Sequence, residues 1–289
     1  MLRLAVATDA ETYKRLQDPL EKREIAVESV HTAERTLPLT DAEATAEFDE
    51  FDAGFVYPPR IMEGGVADAL LGVPWVNDRE AILTSRNKAD VIARLDRAGV
   101  PVPETVAVSD PVDRAALVAA FERFEPPVVV KPNSATRGVG VAKAADLDSF
   151  LGIADYLDLV HDYRATGDQS FLLQEYLPDA RDFRVMLVDG EYVGAVERRL
   201  PDDALAAGQW KHNVHRGAEA TGVDLPAELR DLAERAAGAL DIPWLGVDLL
   251  VTDDRAVVTE TNARPTVDSA MKYEPGFFDE LVALIRETV

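Results

Sequence analysis

Two apolar runs near the C-terminus, joined by a short polar turn, constrain this chain more than any other stretch. The first reads Gly246-Val-Asp-Leu-Leu-Val-Thr, and the second reads Val257-Val-Thr-Glu-Thr-Asn-Ala-Arg-Pro. Runs rich in Val, Leu and Thr favour strands, and their close spacing predicts an antiparallel hairpin. Each run carries an acid or amide where the core of a sheet would normally hold an apolar side chain.

The register of this hairpin decides whether its polar groups face the same side. Glu260 and Asn262 are two residues apart, so they share a face of a strand. A three-residue connection at 253–255 would place Asp248 opposite Glu260, whereas a two-residue turn would place the two acids on opposite faces. The stretch lacks the Asn-Gly or Asp-Gly pair of a tight turn, which favours the longer connection.

Three oxygen donors on one face of a hairpin suit a hard cation. Mg2+ prefers such ligands and leaves part of its shell to substrate phosphates. The sequence therefore predicts a metal site at Asp248, Glu260 and Asn262. The competing interpretation is a polar sheet edge, which is strongest for Asp248 taken alone.

Charge and composition restrict the partners of the chain. Among 289 residues, 30 are basic and 53 are acidic, giving a formal net charge of −23. Such a field repels nucleic acids and anionic membranes, so neither is predicted as a partner. The lack of cysteine excludes a disulfide framework and a thiol nucleophile. With no run of membrane-spanning length and no signal-peptide pattern, we expect a cytoplasmic protein.

The acid excess also predicts adaptation to high salt, since seven of the 30 basic residues are lysine and the rest arginine. Repulsion among solvated carboxylates is screened at molar ionic strength, where the Debye length is about 3 Å. We expect the chain to refold fully in molar KCl and to lose stability in dilute buffer, as measured by circular dichroism on heating. Full stability in dilute buffer would contradict this interpretation.

Strand and helix patterns alternate along the rest of the chain, which predicts an α/β (α+β) fold in three parts. A small parallel-sheet domain is predicted over 1–80, and it lacks the G-x-G-x-x-G of a dinucleotide site. A central part over 81–170 begins with one helix over 79–97, bent near Ser85. A C-terminal part over 171–289 holds antiparallel hairpins, with 201–222 interpreted as a loop.

Two lysines stand where a phosphate could meet them. Lys88 lies in a predicted helix, where most lysines are solvated, and that is the competing interpretation. Lys131 ends a run of β-branched residues, where solvation is poor and a point charge can face phosphate. The following segment, 133–142, contains hydroxyl side chains and two glycines, which let backbone N–H groups approach an anion. It predicts a flexible lid over phosphates, and without G-K-[ST] it is not a Walker A loop.

The ordered series of these features resembles the ATP-grasp superfamily, and more closely its RimK-type, glutamate-ligase-like branch. The likeness covers roughly residues 75–270, and each piece alone is common. It is carried by Lys131, the lid segment, Gln174-Glu-Tyr-Leu and the metal set, and is closest in Asn87-Lys88, 193–199, 211–217 and Glu260-x-Asn262.

The resemblance implies ATP-grasp architecture, with ATP and two Mg2+ ions (or Mn2+) as cofactors. The predicted metal ligands stay Asp248, Glu260 and Asn262, and the predicted catalytic residues are Arg216, Arg184 and Lys211. The residues that the resemblance assigns to ATP are Lys88, Lys131, Ser134, Gly138, Glu175, Tyr176, Leu177, Asp182, Lys211 and Asn213.

The activity that the resemblance implies is ligation of a carboxylate to an amine through an acyl phosphate, releasing ADP and phosphate. The expected partners are a small-molecule carboxylate and an amino acid, with self-association left open. Two alternatives remain, namely an ATP-grasp kinase with a hydroxyl acceptor and an ATP-binding regulatory protein without turnover. ADP release that depends on both a carboxylate and an amine distinguishes the first from the others.

The sequence departs from the family pattern at two places. The lid reads Ser134-Ala-Thr-Arg-Gly where the familiar ligases have Glu-Gly-Thr-Gln-Gly, which adds a cation at Arg137. The metal strand continues to Arg264 where those ligases have serine. We hypothesise that Arg264 binds a substrate carboxylate, with Arg198 as a second candidate, which puts a ribosomal-protein substrate in doubt.

Overall fold

Three sheets organise the part of the chain that the computed structural model describes, which excludes residues 9, 31, 111, 137, 161–167, 215–216 and 270–271. The elements run in this order: β1 (Leu2–Val6), α1 (Glu11–Glu21), β2 (Ile25–Ser29), α2 (Ala42–Thr45), a 3₁₀ turn (Ala46–Phe48), β3 (Ala53–Phe55), α3 (Ile61–Leu71), α4 (Arg79–Arg86), α5 (Lys88–Arg97), β4 (Thr105–Ser109), α6 (Arg114–Phe121), β5 (Val128–Pro132), β6 (Ala142–Ala144), α7 (Leu147–Val160), β7 (Ser170–Glu175), β8 (Arg181–Val188), β9 (Glu191–Arg199), α8 (Asp202–Ala206), β10 (Glu219–Val223), α9 (Ala227–Leu240), β11 (Trp244–Val251), β12 (Ala256–Asn262) and α10 (Phe277–Thr288).

The first sheet is parallel, in the order β2-β1-β3. Leu4, Ala5 and Val6 of its central strand are all fully buried, as expected for a parallel strand covered on both faces. Its core continues through Leu16 of α1 to Leu281 of α10, so the closing helix packs against the first domain. The predicted α/β start is confirmed, and no described helix has the length and apolarity needed to cross a membrane.

The second sheet has the order β4-β7-β5-β6 with antiparallel pairing. The helices α6 and α7 cover one face, where Phe121 stacks on Phe150 with ring centroids 5.2 Å apart. The strand β5 ends with Lys131 and Pro132, directly before the predicted lid. Lys131, on an interior strand of this sheet, reaches β12 of the third sheet, where its Nζ donates to the Thr259 carbonyl.

The third sheet is antiparallel, in the order β10-β9-β8-β11-β12. The helix α9 packs on one face through fully or nearly fully buried alanines at 233, 236 and 237, whose small side chains let the helix lie close to Val247 and Leu249. Side chains that alternate with these point to the opposite face. That opposite face carries the polar residues of the predicted site.

A bulge in the β11–β12 hairpin sets the register of the predicted metal ligands. Val251 pairs with Ala256, so the connection is the four residues 252–255, and the predicted three-residue turn is wrong. That loop alone would place Asp248 opposite Thr259 and send Glu260 to the other face. An irregularity between Asp248 and Leu249 shifts the pairing by one residue, so Asp248 does lie opposite Glu260, as predicted.

Two local predictions were wrong. The helix predicted over 79–97 is two helices, because Asn87 ends α4 and caps α5 by accepting the backbone N–H of Asp90 at 3.1 Å. The segment 201–222, interpreted as a loop, contains α8 and most of β10. The sequence of β10 has weak strand propensity, and its pairing comes from β9 beside it.

Candidate active site

Four charged side chains form a network on the open face of the third sheet. The guanidinium of Arg184 donates to both carboxylate oxygens of Asp248, at 2.7 and 2.8 Å. Arg198 lies 3.1 Å from Asp248 Oδ2 and also donates through Nε to Asp182 Oδ1 at 2.8 Å. Arg198 and Asp248 are both buried. Two carboxylates and two arginines thus form a continuous ion-pair network.

The network shifts the pKa values of its two acids in opposite directions. Burial disfavours the charged form of both, and for Asp182 burial dominates, with Asp248 adding repulsion, so the pKa of Asp182 rises to about 6. For Asp248 the attraction of Arg184 and Arg198 exceeds the effect of burial and lowers the pKa to about 2. Arg198 is desolvated by burial, yet Asp248 and Asp182 hold its pKa above the usual value. Asp248 is therefore the fixed anion of the site.

The two predicted phosphate lysines are both buried and converge on β12. Lys131 Nζ donates to Gln174 Oε1 at 2.9 Å and to the Thr259 carbonyl at 3.3 Å. Burial, partly opposed by Glu260, lowers the pKa of Lys131 to about 8. Lys88 Nζ lies 3.5 Å from Glu260 Oε1, so the solvated interpretation of Lys88 was wrong.

Sequence reasoning missed the side chains that hold Lys88 in place. Asn133 accepts the backbone N–H of Ala89 at 2.9 Å and donates to Asn87 Oδ1 at 2.9 Å, while its carbonyl accepts from Lys88 Nζ at 3.2 Å. The lid start and the α5 N-terminus are thereby joined. A sequence signal was available for Asn87, since an Asn directly before a helical Lys-Ala-Asp is a good N-cap, but no local signal marked Asn133.

Residues 175–177, which the resemblance assigns to ATP, begin the connection from β7 of the second sheet to β8 of the third. Glu175 uses its side chain structurally, accepting the Glu104 N–H at 2.7 Å and pairing with Arg255 of the β11–β12 turn. Any contact of Glu175 with a nucleotide would therefore come from its backbone. Tyr176 lies edge-on to Trp210 at 6.0 Å, and Leu177 follows directly.

The lid touches the loop before β10. Lys143 Nζ lies 4.5 Å from the Tyr176 ring centroid and 5.3 Å from that of Trp210. Lys211 Nζ donates to the Val141 carbonyl. Gly138 has φ +66°, and a Cβ there would lie 2.5 Å from Asn213 Oδ1, so this position needs glycine. Lys211 and Asn213 thus lie against the lid.

Of the other predicted site residues, three are described by the structure and two lie outside the described residues. Ser134 Oγ donates to Asp168 Oδ2 at 2.7 Å, so its hydroxyl already has a protein partner. Arg264 follows β12 and is half-buried, and its backbone N–H donates to Asn262 Oδ1 at 2.9 Å. Arg198 lies within the ion-pair network rather than at the surface. Arg216, predicted as catalytic, and Arg137 lie outside the described residues.

The chemistry of the donor set fits Mg2+ when a nucleotide supplies further oxygens. Asp248 and Glu260 lie directly opposite, and Asn262 is two residues further along the same face. Asp248 already accepts from two arginines, and among the described residues no group of three acids, histidines or cysteines is arranged to hold a metal ion by itself. Protein atoms would therefore supply only part of the shell, which is typical of Mg2+ bound with substrate phosphates.

Comparison with known proteins places this geometry in a family. A model of the RimK-like ATP-grasp domain matches residues 85–278. The chain belongs to the RimK-like ATP-grasp family. A probable alpha-L-glutamate ligase of Enterobacter sp. (strain 638) is 31% identical over 212 residues, covering 70% of this chain and 64% of the relative, which is under two thirds of its length. A ribosomal protein bS6–L-glutamate ligase of Escherichia coli is 30% identical, with 70% and 64% covered.

Other relatives and solved structures match a larger share of this RimK-like chain. A probable alpha-L-glutamate ligase of Pectobacterium carotovorum is 28% identical over 276 residues, covering 88% of this chain and 84% of the relative. Among solved structures, D-cycloserine synthetase DcsG has a TM-score of 0.72 at 18% identity, covering 99% of this chain and 100% of its own. D-alanine–D-alanine ligase from Bacillus anthracis complexed with ATP has 0.68 at 16%, covering 100% and 97%. These structures confirm the ATP-grasp fold.

Proposed function

We propose that the chain is an ATP- and Mg2+-dependent carbon–nitrogen ligase that joins a glutamate-like amino acid to a carboxylate substrate. The observation that carries the proposal is the convergence of two buried lysines, Lys88 and Lys131, on the strand that bears Glu260. Buried cations from two separate elements beside a row of oxygen donors suit a metal-bound triphosphate. The ligase names of the relatives in this family support the same reading.

In the proposed reaction the carboxylate oxygen attacks the γ-phosphorus of ATP, and ADP leaves. The amine then attacks the acyl carbon, phosphate leaves with the former carboxylate oxygen, and the amine loses a proton. Lys88 and Lys131 hold the transferring phosphoryl group, Lys211 approaches it from beneath the lid, and Arg184 positions Asp248. Asp248, Glu260 and Asn262 would hold Mg2+, and the bound metal would supply positive charge that neutralises the phosphates. The chain positions the reacting groups and stabilises their charge, and the proposed reaction uses no covalent nucleophile of the protein.

Acceptor-dependent phosphate release tests this function. The full chain in molar KCl is supplied with Mg-ATP, pooled amino acids and pooled carboxylates, each pool alone and both together. Phosphate release that requires both a carboxylate and an amine supports the ligase. Because amino acids carry both groups, release with the amino-acid pool alone also supports it, provided that N-acetylated amino acids, which lack the amine, give none. A phosphorylated product formed without an amine would instead identify a kinase, and ATP binding without acceptor-dependent turnover would identify a regulatory protein.

Arg264 is the position that we propose for recognition of a substrate carboxylate. It lies two residues beyond Asn262 with its backbone tied to the Asn262 amide oxygen, so its side chain starts beside the proposed metal. We expect Arg264→Met to raise the KM of one carboxylate-bearing substrate at least about tenfold, the size of a charge-assisted hydrogen bond, with the KM of ATP unchanged. The exposed Arg235→Met is the matched control. An unchanged KM for every active carboxylate and amino acid would end this proposal.

A further inference from the structure

The residue that follows Asn262 is held by two buried side chains that come from outside the third sheet. The β11–β12 pairing ends where Gly246 lies opposite Asn262. Just beyond, the Ala263 N–H donates to Ser85 Oγ at 2.9 Å, and the Ala263 carbonyl accepts from Asn77 Nδ2 at 2.7 Å. Both backbone polar groups of Ala263 are therefore bonded to side chains 178 and 186 residues earlier in the sequence.

Asn77 also holds the start of the neighbouring strand β11. Its amide nitrogen donates to the Trp244 carbonyl at 2.6 Å, and its amide oxygen accepts the Trp244 N–H at 3.1 Å. The side chain is 3% exposed, and its nitrogen and its oxygen both have protein partners. One carboxamide thus bridges the two strands at the point where the pairing between them stops, so it fixes how the chain leaves β12.

Ser85 lies in the last turn of α4 and fixes the same point from the outer edge of the sheet. Because β12 is the last strand of its sheet, no neighbouring strand pairs with that edge. The Ser85 side chain is buried, and its Oγ also lies 3.2 Å from Thr261 Oγ1. Lys88, at the start of α5, lies 3.5 Å from Glu260 Oε1. The end of α4 and the start of α5 therefore hold the strand that carries the proposed metal ligands.

The backbone at Ala263 orients two side chains that the proposed function uses. Ala263 joins Asn262 to Arg264, and the Arg264 N–H donates to Asn262 Oδ1 at 2.9 Å. A carboxamide oxygen has two lone pairs, so it accepts this bond and can still face a metal ion. Rotation of the backbone at Ala263 would turn that oxygen away and would redirect Arg264 at the same time.

We infer that Ser85 and Asn77 are positioning residues of the proposed metal and substrate site. They fix the Ala263 backbone so that the Asn262 oxygen faces the metal and Arg264 faces the substrate carboxylate. The inference rests on the proposed function for the identity of both ligands. A contact that served folding alone would change stability and leave metal affinity unchanged, whereas a contact that orients a metal ligand changes metal affinity as well.

Direct metal binding by Ser85→Ala tests the inference. Alanine has a higher helix propensity than serine, so the variant keeps α4 and loses the acceptor of the Ala263 N–H. Mn2+, which prefers the same oxygen ligands as Mg2+, is titrated into the full chain with a saturating non-hydrolysable ATP analogue. Protein-bound Mn2+ is measured by its enhancement of water proton relaxation, with the analogue alone as the blank. We expect the Mn2+ dissociation constant to rise by roughly tenfold or more.

A series at position 85 separates the hydroxyl from the space that it fills. Ser85→Thr keeps the hydroxyl and should restore most of the Mn2+ affinity, and Ser85→Cys, a weaker acceptor, should give an intermediate value. Affinity for the analogue without metal should stay unchanged throughout. Ile285→Val, which removes one methylene from the fully buried core under α10, is the control for stability. It should lower the melting temperature and leave Mn2+ affinity unchanged.

The outcomes distinguish this inference from the proposed function. A folded Ser85→Ala protein with wild-type Mn2+ affinity, or a loss that neither Ser85→Thr nor Ser85→Cys reduces, overturns the positioning role and leaves the proposed metal site standing. A wild-type protein that binds no Mn2+ beyond the blank overturns both. A loss of Mn2+ affinity that Ser85→Thr restores, in a protein that releases no phosphate with any substrate pool, upholds the positioning role and rejects the ligase.

Discussion

Asp248→Asn is expected to reduce turnover by at least about 10²-fold, the size of a lost electrostatic contact in a buried site, and to destabilise the nucleotide-free protein. The amide removes the anion on which Arg184 and Arg198 both converge. Removing one partner of a buried ion pair costs about 3–5 kcal/mol, because the charges that remain are unpaired. Turnover is measured as phosphate release, and stability by thermal unfolding in molar KCl.

The control for this change is Asp254→Asn, an exposed acid in the turn of the same hairpin, which should leave both measurements unchanged. The pKa of Asp248 is lowered to about 2, so the carboxylate contributes stability above pH 4 that is lost as pH falls through about 2. The stability gap between wild type and Asp248→Asn should therefore narrow in acid. A gap that widens below pH 4, or a fully stable variant, would contradict the ion-pair network.

Lys131→Met is expected to have opposite effects on binding and on stability. Loss of a charged contact to phosphate should weaken Mg-ATP binding by roughly 10- to 150-fold. Burial of the ammonium lowers the pKa of Lys131 to about 8, so the charge costs the folded protein about 3 kcal/mol at neutral pH. The nucleotide-free variant should therefore melt a few degrees higher than wild type, even with the Gln174 hydrogen bond lost.

The pH dependence of stability distinguishes removal of a buried charge from improved packing as the cause of the higher melting temperature. Between about pH 8 and pH 10.5 the folded protein binds fewer protons than the unfolded chain, so wild-type stability rises with pH. The advantage of Lys131→Met should accordingly shrink over that window. Lys14→Met, an exposed helix lysine, is the matched control, with no change in ATP affinity or in melting temperature. A variant that melts lower at every pH would show that Lys131 stabilises the apo-protein.

Sequence reasoning succeeded where local pattern and chemistry agree. The β-branched run before Lys131 predicted a strand ending in a lysine, and the alternation at Glu260 and Asn262 predicted two donors on one face. The ordered motifs then indicated the RimK-like ATP-grasp family, which the family model supports over 85–278. The site roles and the domain boundaries near 80 and 170 stay predictions.

Sequence reasoning failed where a residue depends on a distant partner. Asn133 could not be assigned because it bridges to Asn87, 46 residues earlier. Arg184 was predicted as a catalytic residue, and no local pattern indicated its ion pair with Asp248, 64 residues later. The strand β10 forms because β9 offers an edge, although its own residues favour a strand weakly.

The β11–β12 hairpin shows most clearly which features the sequence determines and which the tertiary structure decides. Its sequence alone determined two strands and three oxygen donors, because strand propensity and side-chain chemistry are local properties. Tertiary structure decided that Asp248 faces Glu260, since the four-residue turn would have separated them and a bulge beside Asp248 restores the pairing. It also turned the Thr259 carbonyl toward Lys131 and placed two arginines on Asp248. Those contacts depend on backbone register and on strands far apart in sequence, which no local pattern encodes.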